Sequence, residues 1–304
     1  MPHTNLPNLK HTAFGGAWSI HDTATCITRE EARLNFKCDD ANKLRKGFLN
    51  LYKEWMFEEQ KIIGWQAYNE LCYTNGTSDS FGQFFLRYKG KKRLRLAKSE
   101  YFYSQMCKSL YFDKNFAWLD EDEIRSGDVV LISAPFSNTG AIPDYLEKLL
   151  SDCDEKSVPV MLDLAYVNLG CNFKIDLSHE CIEYVVSSLS KVFPVENYRI
   201  GIRLQKQKFE DPIYVINEND YNYINLLGAY VGKTLMEKYS SDYIYQKYKQ
   251  SQNEMCTKLD LEPSPCVIFG LDHRNKYTEY SRGSAINRLC FSRVWDGRMK
   301  HDDQ

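Results

Sequence analysis

The sequence has no strong excess of either charge and no long apolar run. Its 304 residues contain 39 Lys or Arg against 41 Asp or Glu, for a formal net charge of −2, so nucleic acid is an unlikely partner for the chain as a whole. No segment has the length and hydrophobicity of a membrane span, and the N-terminus lacks the apolar core of a signal peptide. We therefore expect a cytoplasmic protein that does not engage a membrane.

The ten cysteines include no Cys-x-x-Cys pair, which removes the most recognisable spacing of a zinc site. Reduced thiols are the ordinary state of cysteine in a cytoplasm. We therefore predict no metal site. Internal repeats and low-complexity tracts are also missing, so the sequence does not indicate a repeat architecture.

The sequence does contain an alternation of helical and strand patterns. We expect an irregular segment through about residue 40 and helices in the aromatic-rich region near residues 219–258. Between these, apolar runs predict strands, and 3.6-residue periodicity predicts helices, in the order strand 70–73, helix 80–88, strand 128–132, helix 142–150 and strand 158–162. This alternation predicts an α/β fold with a mostly parallel sheet covered by helices on both faces.

The segment most suggestive of chemistry is Ser188-Leu189-Ser190-Lys191, which is followed by Arg199-Ile200-Gly201. A lysine amine condenses with an aldehyde to give a Schiff base and can then move a substrate proton, provided that its surroundings keep it partly neutral. The pattern therefore points to pyridoxal 5'-phosphate (PLP) as a cofactor. Taken alone, Lys191 is better explained as a solvated loop lysine.

A carboxylate upstream meets a second need of this cofactor. Asp163 follows the apolar run 158–162, so it should lie at the carboxyl end of a buried strand, where open α/β sheets bind ligands. There it would keep the pyridine nitrogen protonated, and a protonated ring is the electron sink of PLP chemistry. Tyr166 could reach the phenolic oxygen of the ring. The alternative for Asp163 is a helix N-cap after the strand.

The phosphate of PLP needs N–H groups, hydroxyls and a fixed positive charge. The turn at Gly76, Thr77 and Ser78 precedes a helical segment and offers the first two, because glycine allows close approach and a helix N-terminus attracts anions. Ser188 and Arg199 could complete the cage with charge-assisted hydrogen bonds. A simple turn and a surface ion pair remain the alternatives.

In this order the motifs resemble those of the class I/II aminotransferases, the fold-type I group of PLP-dependent enzymes. The resemblance spans roughly residues 70 to 204 and adds Tyr101 as the aromatic residue that stacks on the ring. It implies that Lys191, Asp163 and Tyr166 are catalytic and bind the cofactor. It also implies the phosphate roles given above to Gly76, Thr77, Ser78, Ser188 and Arg199.

The same resemblance implies an architecture and a substrate anchor. Residues 45–205 would form the large PLP-binding domain, and residues 1–44 and 206–304 would form a reduced small domain with connecting helices. Arg288 resembles the arginine that grips the substrate α-carboxylate, and its planar fork suits that group. Related enzymes form dimers with sites at the subunit boundary, so a homodimer is expected.

One motif departs from the family pattern. The segment Ala134-Pro135-Phe136-Ser137-Asn138 has serine where the family has asparagine, and asparagine where it has proline. Either Ser137 or a shifted Asn138 would then contact the ring oxygen and bind the cofactor. This departure leaves the identity of the substrate open.

Three functions follow from the resemblance. The first is an aminotransferase that uses an amino acid and a keto acid, with Lys191 as proton shuttle. The second is another PLP reaction on an amino acid, such as elimination, β- or γ-replacement or decarboxylation, because the reaction depends on which bond is held perpendicular to the ring. The third is a non-catalytic binding protein on a degenerate PLP fold.

A different class of function is suggested by residues 87–98, which contain seven basic residues. Such a stripe could bind a polyanion through counterion release. A solvated hairpin or an edge strand protected by its lysines is the preferred interpretation, because the whole chain is near neutral.

Overall fold

The computed structural model describes residues 14–218 and 221–295. Its α-helices are α1 (Thr23–Leu34), α2 (Ala41–Phe57), α3 (Thr77–Tyr88), α4 (Phe102–Tyr111), α5 (Leu146–Glu155), α6 (Pro212–Asn217), α7 (Leu226–Lys238), α8 (Tyr243–Leu259) and α9 (Ser292–Trp295). Its strands are β1 (Lys61–Ile63), β2 (Glu70–Thr74), β3 (Arg93–Leu96), β4 (Phe116–Trp118), β5 (Asp128–Ser133), β6 (Val160–Asp163), β7 (Lys174–Asp176), β8 (Ile182–Ser188), β9 (Gly201–Gln205), β10 (Glu262–Pro263), β11 (Phe269–Asp272) and β12 (Asn287–Cys290).

Seven of these strands form the central sheet, in the order β2-β9-β8-β6-β5-β3-β4. The pairs from β8 to β4 are all parallel, whereas β9 runs antiparallel to both of its neighbours. Two apolar clusters pack on this sheet: one includes residues of α2 and α7, and the other includes the aromatic face of α3. The predicted α/β fold with a mostly parallel sheet is therefore confirmed.

The direction of the strands places the site. Strands β3, β5, β6 and β8 are parallel, so the loops that follow them leave from the same edge of the sheet. Strand β9 is antiparallel to β8, and β2 is antiparallel to β9, so β2 also ends at this edge and β9 begins there. We call it the carboxyl edge. In open α/β sheets ligands bind at this edge.

Two smaller sheets flank the central one. Strands β1 and β7 pair in parallel, and β10, β11 and β12 form an antiparallel sheet in which Arg288 pairs with Leu271. The side chain of Gln252 on α8 donates to two carbonyl oxygens of the loop before β11 and to that of Phe269, the first residue of β11, at 2.7 to 3.1 Å. This sheet is therefore fixed to α8. The division into domains at residues 45 and 205 stays a prediction.

Three boundary predictions differ from the structure. Helix α1 lies inside the segment expected to be irregular, and Asp22 caps it by accepting a hydrogen bond from Thr25 N at 3.0 Å. The helix expected to begin at residue 142 begins at Leu146, because Pro143 disfavours the helical conformation at the residue before it. Strand 158–162 is shifted to Val160–Asp163.

The basic stretch 87–98 is neither a hairpin nor an edge strand. It contains the end of α3 and all of β3, and β3 lies inside the sheet between β5 and β4. Arg95 is completely buried and pairs with Asp128 at 2.8 Å, and Arg93 pairs with the same carboxylate at 2.7 Å. Two of the seven basic residues are thus neutralised inside the fold, which leaves less charge for a polyanion.

Candidate active site

A concave pocket opens at the carboxyl edge of the central sheet. Segments that follow β2, β3, β5, β6 and β8 contribute to its walls, as the strand directions require. The residues that line it are Thr77, Ser78, Tyr101, Ser133, Pro135, Ser137, Asp163, Ala165, Tyr166, Ser188, Ser190, Lys191, Glu196 and Arg199.

Lys191 follows β8 by three residues and presents its amine to the cavity. Its Nζ donates a hydrogen bond to the carbonyl oxygen of Ala17 at 2.7 Å. Burial lowers the pKa of Lys191 to about 8, and the nearby positive charge of Arg288 acts in the same direction. A substantial fraction of the amine is therefore neutral near physiological pH, as a nucleophile or a base requires.

Asp163 is the last residue of β6, as predicted, and its carboxyl group is buried at the floor of the cavity. Burial is the main cause that raises its pKa to about 7, and the carboxyl group of Glu100 adds to the effect. Its Oδ1 accepts a hydrogen bond from Ala165 N at 3.1 Å. A cationic group that bound here would favour the ionised carboxylate and lower this pKa.

The sequence interpretation missed two residues behind Asp163. The hydroxyl of Ser133 lies 3.3 Å from Asp163 Oδ2 and 2.6 Å from Glu100 Oε1. Glu100 is fully buried and also accepts hydrogen bonds from the N–H groups of Tyr101 and Ser133. Burial raises its pKa. The two acids therefore communicate through one hydroxyl, and a proton is expected to be shared between them.

The N-terminus of α3 forms another wall. Its N-cap, Gly76, makes no side-chain hydrogen bond to the first turn, so the N–H groups at this end can bind an anion. The Arg199 guanidinium crosses the turn and donates to the carbonyl oxygen of Asn75 at 2.9 Å. Thr77 and Ser78 line the cavity beside it. The arrangement combines the hydroxyls, amides and fixed charge that a phosphate requires.

Gly76 yields a specific prediction. Its φ of +77° suits glycine, and a Cβ atom there would lie 2.5 Å from Arg199 Nη2. We expect Gly76→Ala to displace the guanidinium and weaken PLP binding by about 10- to 100-fold, the effect of losing a hydrogen bond to a charged group. Affinity for pyridoxal, which lacks the phosphate, should change far less. Fluorescence titration of the apoprotein with both compounds measures the difference.

Gly90 offers the matched control. It has a similar φ of +71°, but no atom lies within 4 Å of the position of its Cβ. Gly90→Ala therefore introduces comparable backbone strain without a contact at the cavity. Equal losses of PLP affinity in the two variants would contradict a phosphate role for this turn.

Ser188 lies on the cavity wall, three residues before Lys191. Its Oγ donates to the carbonyl oxygen of Ile200 at 3.0 Å and lies 2.9 Å from Ser190 Oγ. Both serines line the cavity. The Ser-x-Ser-Lys spacing thus places two hydroxyls beside the lysine, which fixes the loop that carries Lys191.

Ser137 and Asn138, the two alternatives for the ring-oxygen contact, lie in different surroundings. Ser137 lines the cavity, whereas the Asn138 amide turns away and donates to Ser284 Oγ at 2.8 Å and to the carbonyl oxygen of Ile286 at 3.0 Å. Tyr166 also faces the cavity, and its ring packs edge-on against Phe269. Tyr101 lines another part of the wall, and burial raises its pKa to about 12. Ser137 and Tyr166 are therefore better placed than Asn138.

Arg288 lies behind the cavity wall on β12. It is fully buried, and its Nη1 donates to the carbonyl oxygen of Ser137 at 2.6 Å. Its guanidinium also lies over the ring of Phe269, 4.4 Å from the centroid. Its Nε is buried without a hydrogen-bond partner among the described residues. The side chain is therefore near the cavity with one donor unsatisfied.

The N-terminal segment contributes residues that sequence motifs did not reveal. Ala17 accepts the hydrogen bond from Lys191, and Glu196 on the cavity wall accepts hydrogen bonds from Ser19 at 2.9 Å and His21 at 2.7 Å. Burial opposes ionisation of Glu196, but these hydrogen bonds outweigh it and lower its pKa to about 2.

The residues of this cavity fit PLP. They supply an amine with a lowered pKa, an acidic group on the floor and a guanidinium beside an uncapped helix N-terminus. Among residues 14–218 and 221–295, no group of three His, Cys, Asp or Glu side chains could hold a metal ion. Within the same ranges, no helix has the length and apolar character needed to cross a bilayer.

Comparisons with solved structures agree with this fold. The aspartate aminotransferase of Thermotoga maritima matches with a TM-score of 0.65 at 15% identity, covering 93% of this chain and 89% of that one. The histidinol-phosphate aminotransferase of Clostridium acetobutylicum gives 0.59 at 14% identity, with 94% and 98% covered. The L-threonine-O-3-phosphate decarboxylase of Porphyromonas gingivalis also gives 0.59 at 14%, with 93% and 99% covered.

Of two sequence comparisons, one gives a match and the other gives none. No curated protein sequence matches the chain. The sequence model of aminotransferase class I and II matches residues 92–260, which is more than half of the chain. The structural neighbours are PLP-dependent enzymes of the same fold, and the cofactor is pyridoxal 5'-phosphate. The chain therefore belongs to the class I and II aminotransferase family of PLP-dependent enzymes.

Proposed function

We propose that this enzyme is an aminotransferase acting on an amino acid. The observation that supports this most is the placement of the Lys191 amine and the Asp163 carboxyl group in one cavity with the Arg288 guanidinium behind its wall. When bound, PLP supplies the electron sink and accepts the amino group. Two of the structural neighbours named above are aminotransferases.

In the proposed reaction Lys191 holds and moves the proton. Its pKa of about 8 lets the amine accept a proton and give it back near neutral pH. The Ala17 carbonyl oxygen, 2.7 Å from Nζ, orients the amine while it is free. Asp163 would ionise and keep a positive charge on the cofactor nitrogen.

Arg288 is the proposed anchor of the substrate α-carboxylate. Its buried guanidinium has an unsatisfied Nε and lies beside Ser137 on the cavity wall. An anchor that keeps the α-carboxylate in place favours transamination over decarboxylation, because the carboxylate stays bound. Tyr166 and Ser137 are proposed to contact the ring oxygen, and Tyr101 is proposed to stack on the ring.

The lowered pKa of Lys191 predicts a pH dependence. Only the neutral amine attacks an aldehyde, so the rate of PLP uptake by the apoprotein should rise about tenfold per pH unit below pH 8 and level off above it. An ordinary lysine would level off above pH 10 instead. Stopped-flow absorbance from pH 6 to pH 10 checks this. A rate that still rises at pH 10 would contradict a buried, partly neutral amine.

An absorbance experiment tests the proposed function. Purified protein is loaded with PLP, and its spectrum is recorded before and after addition of a mixture of amino acids. Conversion of the visible band to the amino form of the cofactor, and its return on addition of a mixture of keto acids, establishes transamination. A new long-wavelength band without conversion would indicate elimination, replacement or decarboxylation, and no change at all would indicate a binding protein.

Two further features belong to the proposal. We infer a homodimer, since the resemblance to dimeric relatives implies that a second subunit completes the site. A cytoplasmic location also remains a prediction. The proposed large domain, residues 45–205, contains all seven strands of the central sheet.

A further inference from the structure

Two arginines bracket the Ser137 position on the cavity wall. Arg288 Nη1 donates to the Ser137 carbonyl oxygen at 2.6 Å, and Arg282 Nη2 donates to the Ser137 hydroxyl at 3.3 Å. Both Nε atoms are buried without a hydrogen-bond partner among the described residues. Among residues 14–218 and 221–295, no carboxylate lies within 4 Å of either guanidinium. Two positive charges therefore lie behind one stretch of the cavity wall, at Ser137, without an anionic partner.

The nearest acid does not satisfy Arg282. Glu100 interacts with it electrostatically, but the Glu100 oxygens are occupied by the N–H of Tyr101 and by the N–H and hydroxyl of Ser133. Burial, reinforced by the Arg288 guanidinium, lowers the pKa of Arg282 to about 9. A buried cation that is destabilised by a second cation is costly unless an anion binds it.

Arg282 is held in place beside the cavity. Its carbonyl oxygen accepts a hydrogen bond from Ser99 Oγ at 2.8 Å, which ties it to the segment that carries Tyr101. Its charge acts on Tyr166, and Tyr101 in turn acts on Arg282; both tyrosines line the cavity. Arg199 lies elsewhere, against the Asn75 carbonyl oxygen. Arg199 is the proposed partner of the phosphate, and Arg288 is the proposed partner of the α-carboxylate. Arg282 therefore has no ligand assigned to it.

We propose that Arg282 binds a second anionic group on the substrate side chain, so that the enzyme selects acidic amino acids. A carboxylate or a phosphate would satisfy the planar guanidinium equally well. The inference rests on the proposed function, because it assumes that an amino acid occupies the cavity. It goes beyond it by naming the substrate class and the residue that selects it.

Paired acidic and neutral substrates test the proposal on the PLP-loaded enzyme. The half-reaction with L-glutamate, L-aspartate and O-phospho-L-serine is compared by absorbance with that of L-glutamine, L-asparagine and L-serine. We expect kcat/KM to favour the acidic member of at least one pair by about 10- to 100-fold, the range for a charge-assisted hydrogen bond. The preferred pair distinguishes carboxylate from phosphate. In Arg282→Gln the preference should fall to within threefold. The reason is that kcat/KM should fall for the acidic substrate and stay the same for the neutral one.

Arg274→Gln is the control, because Arg274 is exposed and pairs only with Asp260. It should retain the full preference. A wild-type enzyme that transaminates but prefers the neutral member of every pair would overturn the inference and leave the proposed function intact, as would an unchanged preference in Arg282→Gln. If Arg282→Gln does not fold, the wild-type ratio decides alone. No conversion with any amino acid would defeat the proposed function itself.

Discussion

Replacing Lys191 with alanine is expected to lower the rate of amino-group transfer by about 10²- to 10⁴-fold, the usual contribution of a general acid or base. The reason is that no other amine lines the described cavity wall to move the proton. Single-turnover absorbance with excess amino acid measures the loss. The variant should still bind PLP, because the residues at the N-terminus of α3 and Arg199 are unchanged.

Chemical rescue separates catalysis from structure. Methylamine added to Lys191→Ala should restore part of the rate, and the restored part should increase with the fraction of methylamine that is neutral. Lys148→Ala is the control for loss of a lysine, because Lys148 is 78% exposed and pairs with Asp152 on the surface. A Lys191→Ala variant with normal rates would end the assignment of this residue.

Asp163→Asn is expected to reduce the rate by about 10²- to 10³-fold, the range for removing one preorganised electrostatic group. Asparagine has the same shape but cannot hold a negative charge against a protonated pyridine nitrogen. PLP should still bind through its phosphate. The measurement is the single-turnover rate together with the PLP dissociation constant, and a rate loss explained wholly by weaker binding would contradict the electronic role.

Asp163→Asn is expected to lower the rate but to raise the stability of the apoprotein at pH 8. Burial raises the pKa of Asp163 from its ordinary value of 3.8 to about 7, so the folded apoprotein binds a proton that the unfolded chain has released between those pH values. The contribution of Asp163 to the free energy of unfolding of the wild type therefore falls as pH rises from about 4 to about 7. Apo Asp163→Asn should melt at a higher temperature than wild type at pH 8 and at a similar temperature at pH 4.

The fold could be predicted because its central strands coincide with continuous apolar runs in the sequence. All six residues of β5 and all four of β6 are buried, and such runs distinguish inner parallel strands from half-exposed ones. The short edge element β4 and the two-stranded pair of β1 and β7 have no such run and were not predicted. Helix α1 was missed because its buried face is made of small and polar residues, Thr25, Thr28 and Ala32.

Part of the site could be predicted, because some of its residues lie at or just after the ends of predicted strands. Asp163 ends β6 and Lys191 comes three residues after β8, so their position along the chain fixes their position in space. Glu100 and Arg282 were not found, because their roles depend on contacts between distant parts of the chain. Ser99 and Arg282 are 183 positions apart, and the contact that brings Arg282 to the wall leaves no local pattern.

The central claim is that Lys191 is the lysine that holds PLP, and peptide mapping tests it most directly. The PLP-loaded protein is reduced with borohydride, digested and examined by mass spectrometry for a phosphopyridoxyl group on lysine. We expect one modified site, Lys191, and no modified peptide from Lys191→Ala. A label on another lysine, or bound cofactor with no label on Lys191, would contradict it.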